Sequence, residues 1–219
     1  MLVTTDAIVL SLQPHSDKAH VLHAYTRAGG RVNYMVYGLG RKNPRGLYTP
    51  LSLIQITADH PSQVGDGGRL PTLKEACPIT HNPSSITSDI YKQTICLFIP
   101  EILHNVLRHP MVDEPMYDFL VQSIRELDQT PDPSNFHLQF LVDFAAKLGF
   151  AIPEDSPAPL AASSDSCSIR SPRLINYNSN PSTRKARQEA LRALCAYFAE
   201  HVETWESPKS LDVLMEVFD

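Results

Sequence analysis

From Val3 to Leu12 the chain alternates, with Val3, Thr5, Ala7, Val9 and Ser11 on one side and Thr4, Asp6, Ile8, Leu10 and Leu12 on the other. A β-branched, apolar run with a period of two predicts a strand. Gln13–Asp17, which contains Pro14, predicts a polar turn. Ala19–Thr26 predicts a second strand and Ala28-Gly29-Gly30 a tight turn. Arg31–Tyr37 predicts a third strand, with Val32, Tyr34 and Val36 on one face and Arg31, Asn33, Met35 and Tyr37 on the other. Leu51–Ile56 predicts a fourth strand, and Gly65-Asp66-Gly67-Gly68 turns the chain into a short fifth around Arg69–Lys74. Five short antiparallel strands in about 75 residues suit a small closed barrel of the OB type, with an SH3-like barrel as the competing fold.

Near Cys77 the period changes to 3.6. Asn82-Pro83 predicts a helix start, and Ile86, Ile90, Leu97 and Phe98 give its stripe. Pro100 predicts a break or kink before Ile102, Leu103, Val106 and Leu107. Asp113 is a cap for a helix burying Met116, Phe119, Leu120, Ile124 and Leu127. Phe136, Phe140, Leu141, Phe144 and Leu148 form another stripe, closed by Gly149. Phe150–Pro181 is rich in proline and serine and reads as a long loop. Ser182 predicts the start of a helix through about Glu206, and Leu211–Phe218 predicts a last short one. The expected organisation is α+β in two parts: a five-stranded OB-fold-like barrel over residues 1–78, then an all-α domain over 79–219 interrupted at 150–181.

Charge sharpens that division. The net charge is −5, which argues against a uniformly basic nucleic-acid binder. Residues 1–75 nevertheless carry eight Lys/Arg against five Asp/Glu, so the first part is the basic one. Its charge gathers in Gly38–Pro50, where Arg41, Lys42 and Arg45 lie in a run of five residues between two strands. Such a loop can meet a phosphate backbone, and a solvated surface loop is the alternative. Arg31 and Tyr37 fall on one strand face beside it. Tyr37 is a candidate stacking platform, and Arg69, with Arg27 and Lys74, extends the same surface. Arg184, Lys185 and Arg187 form a second basic cluster at a helix start, where helix electrostatics disfavour cations, so an anionic partner is a candidate there.

Catalytic signals are weak. There is no GxxxxGK[ST], GxSxG or GxGxxG. His104 and His109 are five apart, the wrong spacing for a helical metal pair. The cysteines, Cys77, Cys96, Cys167 and Cys195, form no CxxC, which suits reduced thiols in a cytoplasmic protein. Neither a signal peptide nor a membrane span is predicted. A nuclease or other hydrolase would need a carboxylate or histidine cluster that this chain does not supply.

Ile8-Val9-Leu10, Val21–Tyr25 with Gly29-Gly30, and the Gly38…Arg41-Lys42…Leu47…Pro50-Leu51 run resemble the N-terminal barrel of the RecO family of bacterial DNA-repair and recombination-mediator proteins. Asn135–Phe140 with Leu148-Gly149-Phe150 resembles its central helices. Tyr197-Phe198…His201 with Lys209-Ser210-Leu211…Val213-Leu214…Val217-Phe218 resembles its C-terminal end. The likeness spans nearly the whole chain in order and is greatest to Bacteroidetes-type members. It implies a non-enzymatic protein that binds single- and double-stranded DNA and anneals complementary strands. The implied partners are RecR, the C-terminal tail of single-strand-binding protein and, indirectly, RecA in the RecFOR pathway. The implied location is the cytoplasm, with nucleoid association when bound to DNA. Some members carry a four-cysteine zinc site in the region matching 150–181. Here that region holds only Cys167 and no histidine, so no zinc and no other cofactor is expected. The alternative function is a protein-binding adaptor with no DNA binding of its own, which the net charge of −5 favours.

Overall fold

The computed structural model describes residues 1–40, 44–60, 69–79, 86, 88–152 and 183–218. Five strands come first: β1 (Leu2–Ser16), β2 (Ala19–Thr26), β3 (Gly30–Tyr37), β4 (Leu53–Asp59) and β5 (Thr72–Pro78). The described helices follow as α1 (Ile90–Val106), α2 (Glu114–Gln129), α3 (Phe136–Lys147), α4 (Arg184–His201) and α5 (Leu211–Val217). This is the α+β layout that the two hydrophobic periods predict.

The strands close into a barrel in the order β1-β2-β3-β5-β4. β1 is the longest, 15 residues, because it pairs with both β2 and β4. Its register shifts between Val9 and Ser11 and again between Pro14 and Ser16. The second irregularity explains why the predicted turn at Gln13–Asp17 is strand up to Ser16. A proline has no N–H to give a ladder, and a bulge is where that loss is tolerated. The β3–β5 seam is narrow and parallel, with Met35 opposite Thr72 and the Met35 N–H donating to Pro71 O at 2.8 Å.

Ala7, Val9, Leu22, Ala24, Tyr34, Val36, Ile54 and Ile56 fill the barrel. Tyr48, at the end of a 3₁₀ turn over Arg45–Tyr48, joins them. Burial pushes the phenols of Tyr34 and Tyr48 up to about 12, so both stay neutral. β1 is buried on its outer face too: Ile8 and Leu10 are 0% and 1% exposed. Helix α1 lies on β1.

Asp89 caps α1, accepting from the Tyr91 and Lys92 N–H groups at 2.8 and 3.4 Å. The predicted start at Asn82-Pro83 lies outside the described residues, and α1 begins at Ile90. The helix runs on through Pro100 instead of breaking there. A mid-helix proline costs about 3 kcal/mol. Full burial of Ile95, Phe98, Ile102 and Leu103 on either side of it offsets that cost. Asp113 caps α2 as predicted, accepting from the Met116 N–H at 2.9 Å. Lys92, 5% exposed, extends to the far end of α2, where its Nζ donates to Asp128 O at 2.8 Å. That places a cation at the negative end of the α2 dipole.

The chain divides into two compact units, Met1–Gln129 and Thr130–Asp219. The first holds the barrel with α1 and α2. In the second, α3 and α4 pair through stacked Phe144 and Phe198, whose ring centroids are 6.0 Å apart. Gly149 ends α3 at φ +89°, a left-handed conformation that a glycine adopts without strain. Thr183 caps α4, its Oγ1 accepting from the Ala186 N–H at 3.3 Å, and Ser182 lies outside the described residues. The helix stops at His201, short of the predicted Glu206.

The β2–β3 turn meets the α1–α2 connection at Gly30. This residue has φ +62°, and a Cβ on it would lie 2.2 Å from Met111 O. Gly30→Ala therefore combines a left-handed strain with a backbone clash. It should lower the unfolding free energy by about 3 kcal/mol, read by urea denaturation, whereas Gly46→Ala, with open space around it, should not.

Candidate nucleic-acid interface

Because β3 alternates, Arg31, Asn33, Met35 and Tyr37 share the face turned away from the barrel core. The two ends of that face differ. At the first end, the Arg31 Nη1 donates to His104 O at 2.9 Å, and Nη2 lies 3.1 Å from a His104 ring nitrogen. Asn33 Oδ1 is 2.8 Å from His23 Nδ1, and the His23 ring meets His104 edge-on at 5.4 Å. Burial first, then the Arg31 charge, lowers the His23 pKa against the support of Asn33. Arg31 is thus half-buried and tied to the end of α1.

At the other end Tyr37 is 52% exposed. It leads into Gly38 and Gly40, both at positive φ. Arg45 is exposed at the start of the 3₁₀ turn, while Arg41 and Lys42 lie outside the described residues. Arg69 is exposed just before β5. The N-terminal ammonium holds the Asp59 carboxyl below its usual range by a hydrogen bond, with smaller help from Lys74 and Arg69. The structure therefore leaves Tyr37 and Arg45 exposed and turns Arg31 toward the end of α1.

The second cluster opens α4. Arg184 and Lys185 are exposed, and Lys185 is 3.9 Å from Glu189, a weak surface pair. Arg184 and Arg187 line a small cleft with His137, Leu191, Leu214 and Phe218. His137 is 3% exposed, its ring is 5.2 Å from that of Phe218, and its Nδ1 has no hydrogen-bond partner. Burial, reinforced by the Arg187 charge, lowers its pKa to about 3, so it is neutral at ordinary pH.

Sequence reasoning missed three side chains near the barrel: His23, His104 and Arg108. His104 and His109 attract notice only as a metal pair, and the Arg31–His104 contact spans 73 residues, which no local pattern reveals. Among the described residues, no three His, Cys, Asp or Glu side chains come together to hold a metal. Cys167 lies outside those residues. Cys96 and Cys195 are buried, and desolvation pushes both thiols up to about 12, which keeps them unreactive. No described helix is long and apolar enough to cross a membrane.

Two family profiles match the chain: "Recombination protein O N terminal" over residues 1–80 and "Recombination protein O C terminal" over residues 87–171. "DNA repair protein RecO" of Flavobacterium psychrophilum is 30% identical over 242 residues, covering 100% of both chains. The chain belongs to the RecO family. The relative of the same name in Phocaeicola vulgatus is 30% identical over 245 residues, again across 100% of both. That of Porphyromonas gingivalis is 34% identical over 155 residues, covering 68% of this chain and 61% of the relative. Several relatives are from Bacteroidetes, the branch that the sequence resembles. The first family profile coincides with the barrel, which puts the Tyr37 end inside the RecO N-terminal element.

His137 makes the second unit sensitive to acid. Its folded pKa, about 3, lies below the ordinary 6.5, so the unfolded chain takes up a proton first. Stability is complete above about pH 6.5 and falls as pH drops toward 3. Between pH 7 and 5 the loss from this group should be about 2 kcal/mol. Denaturation curves of His137→Gln should lack that part of the pH dependence.

Proposed function

We propose that this RecO-family chain is a DNA-repair and recombination mediator that binds single- and double-stranded DNA and anneals complementary strands. The observation that carries this is the exposed Tyr37 at the end of β3, with Arg45 exposed eight residues on. Arg41 and Lys42 stand between them in the sequence. An aromatic platform beside a run of cations matches what a single strand asks of a barrel: stacking worth about 1–3 kcal/mol per base, and neutralised phosphates. Arg69, and the part of Arg31 not covered by α1, extend the path. Annealing needs no covalent step. It needs two flexible anions held together, and screening of their repulsion by Arg and Lys supplies that.

The partners follow the same chemistry. The acidic C-terminal tail of single-strand-binding protein suits the α4 start, where Arg184, Lys185 and Arg187 add to the positive end of a helix dipole. RecR is the mediator's other protein partner, and RecA is loaded indirectly once the strand is exposed. The protein works in the cytoplasm and joins the nucleoid when bound to DNA. An adaptor without DNA binding is the second reading, favoured by the net charge of −5. It predicts no retention of DNA at near-physiological salt.

Changing Arg41, Lys42 and Arg45 together to Ala should weaken single-strand binding. It should also flatten the log–log salt dependence by about 0.7 for each lost contact, about 2 in all. Fluorescence anisotropy over a salt series reads both. A slope that stays at the wild-type value removes the loop from the site.

A further inference from the structure

The strand register lays the outer face of β1, β2 and β3 out in rungs, because residues directly opposite one another share a face. The first rung, Ile8–Tyr25–Arg31, is closed. Ile8 and Tyr25 are buried, Tyr25 stacks on Tyr117, and Arg31 is bonded to His104. Beyond it the face opens. Ser11–His23–Asn33 is a polar rung whose members are all partly exposed. In the next, Gln13 is exposed and the apolar pair Val21–Met35 is partly exposed. In the last, Ala19 is buried between exposed Ser16 and exposed Tyr37. Successive rungs are two residues apart, about 6.6 Å along the strands.

Charge divides the barrel surface into two sides. None of these rungs carries a carboxylate. On the β1–β4–β5 side every second rung position does: Asp59 stands between Leu2 and Thr72, Glu75 faces Thr57, and Asp6 faces Gln55. The β1–β2 turn adds one charge of each sign, Asp17 and Lys18. The chain leaving Tyr37 then runs into Arg41, Lys42 and Arg45. A polyanion is therefore repelled from the β1–β4–β5 side and admitted to the β2–β3 side. The rungs also carry more than charge. Tyr37 and Met35 offer two apolar platforms in a row, and a thioether packs favourably against aromatic rings. Asn33 Oδ1 is 2.8 Å from His23 Nδ1, and the Asn33 amide N–H₂ takes no part in that bond. It is a donor for the edge of a base.

We propose that the Val21–Met35 rung, set between Tyr37 and the His23–Asn33 pair, is a floor for unpaired bases and is what separates single-stranded from duplex DNA. Cations act on phosphates, which both forms of DNA present, so the basic stretch serves both. Base faces are different. In a duplex they are hidden in the stack, and only an unpaired base can lie on an apolar floor. The three open rungs take the bases in turn, Tyr37 and Met35 by stacking and Asn33 by a hydrogen bond to a base edge. Arg31 has no part in this floor, since its guanidinium is held by His104. The proposal rests on the DNA-binding function proposed above and adds to it the residues that select the unpaired strand.

The test uses the full-length protein and two labelled probes, an oligothymidine single strand and a blunt duplex of the same length, each titrated over a salt series. Met35→Ala should weaken single-strand binding roughly fivefold and leave duplex binding within about twofold of wild type. Its log–log salt slope should match wild type, because an apolar contact releases no counterion. Met35→Phe adds a ring to the floor and should tighten single-strand binding alone, so the test does not depend on a loss that misfolding could mimic. Val21→Glu places a carboxylate in the middle of the face and should remove the preference for the single strand while keeping the thermal midpoint. Wild-type single-strand affinity in both Met35 variants overturns the floor and leaves DNA binding standing. Equal losses on single strand and duplex in Met35→Ala overturn it too, since the residue then acts on the fold or on the phosphate path. Failure of the wild-type protein to bind either probe overturns the DNA-binding function and the floor with it.

Discussion

The main chain of Met111 rests on Gly30, and much of the first unit follows from that contact. It fixes the α1–α2 connection to the β2–β3 turn. With the connection fixed, the end of α1 falls beside Arg31 and His23, and the Arg31 guanidinium takes the His104 carbonyl. With α2 held on the same side, Tyr117 stacks on Tyr25, the ring centroids 6.4 Å apart, and Arg27 lies over Tyr117 at 4.6 Å. A side chain at position 30 would push the two elements apart. The glycine is needed both for its positive φ and for the space its missing Cβ leaves. Barrel and helices are therefore joined by a main-chain fit as well as by apolar burial.

The strands were legible because a barrel buries one face of each, and burial of one face is what a period of two records. Predicted and observed bounds agree at Ala19–Thr26, and Arg31–Tyr37 differs from β3 by one residue. The failures have local causes. β1 passes through Pro14 because a bulge there spares the missing N–H. α1 passes through Pro100 because the residues on both sides are buried too well for the helix to part. In each case packing overrules a local signal by more than that signal's cost. The basic character of the Gly38–Pro50 stretch can be read from Arg41, Lys42 and Arg45 directly. The fate of Arg31 could not. Alternation puts it on the outer face, and whether that face meets water or a helix depends on contacts 73 residues away.

Net charge is a poor guide to a molecule organised this way. The excess of acid lies beyond residue 75, while the first 75 residues carry the basic balance. Salt screens charges beyond a distance of about 8–10 Å, so an ion near any one surface responds to the charges there and not to the formal total of −5. The same locality bears on the adaptor alternative. Its support is a sum over the chain, whereas the proposed DNA binding rests on particular side chains of the first unit.

The two units come to their cations by different routes. In the first part of the sequence, Arg41, Lys42 and Arg45 fall in a glycine- and proline-containing stretch. In the second unit, Arg184, Lys185 and Arg187 stand on the first turn of α4, against the positive end of its dipole. The histidine at the cleft has been kept out of that conflict, since burial and the Arg187 charge together hold it neutral. A protonated His137 would place a buried cation beside the Arg187 charge. A neutral ring avoids that cost.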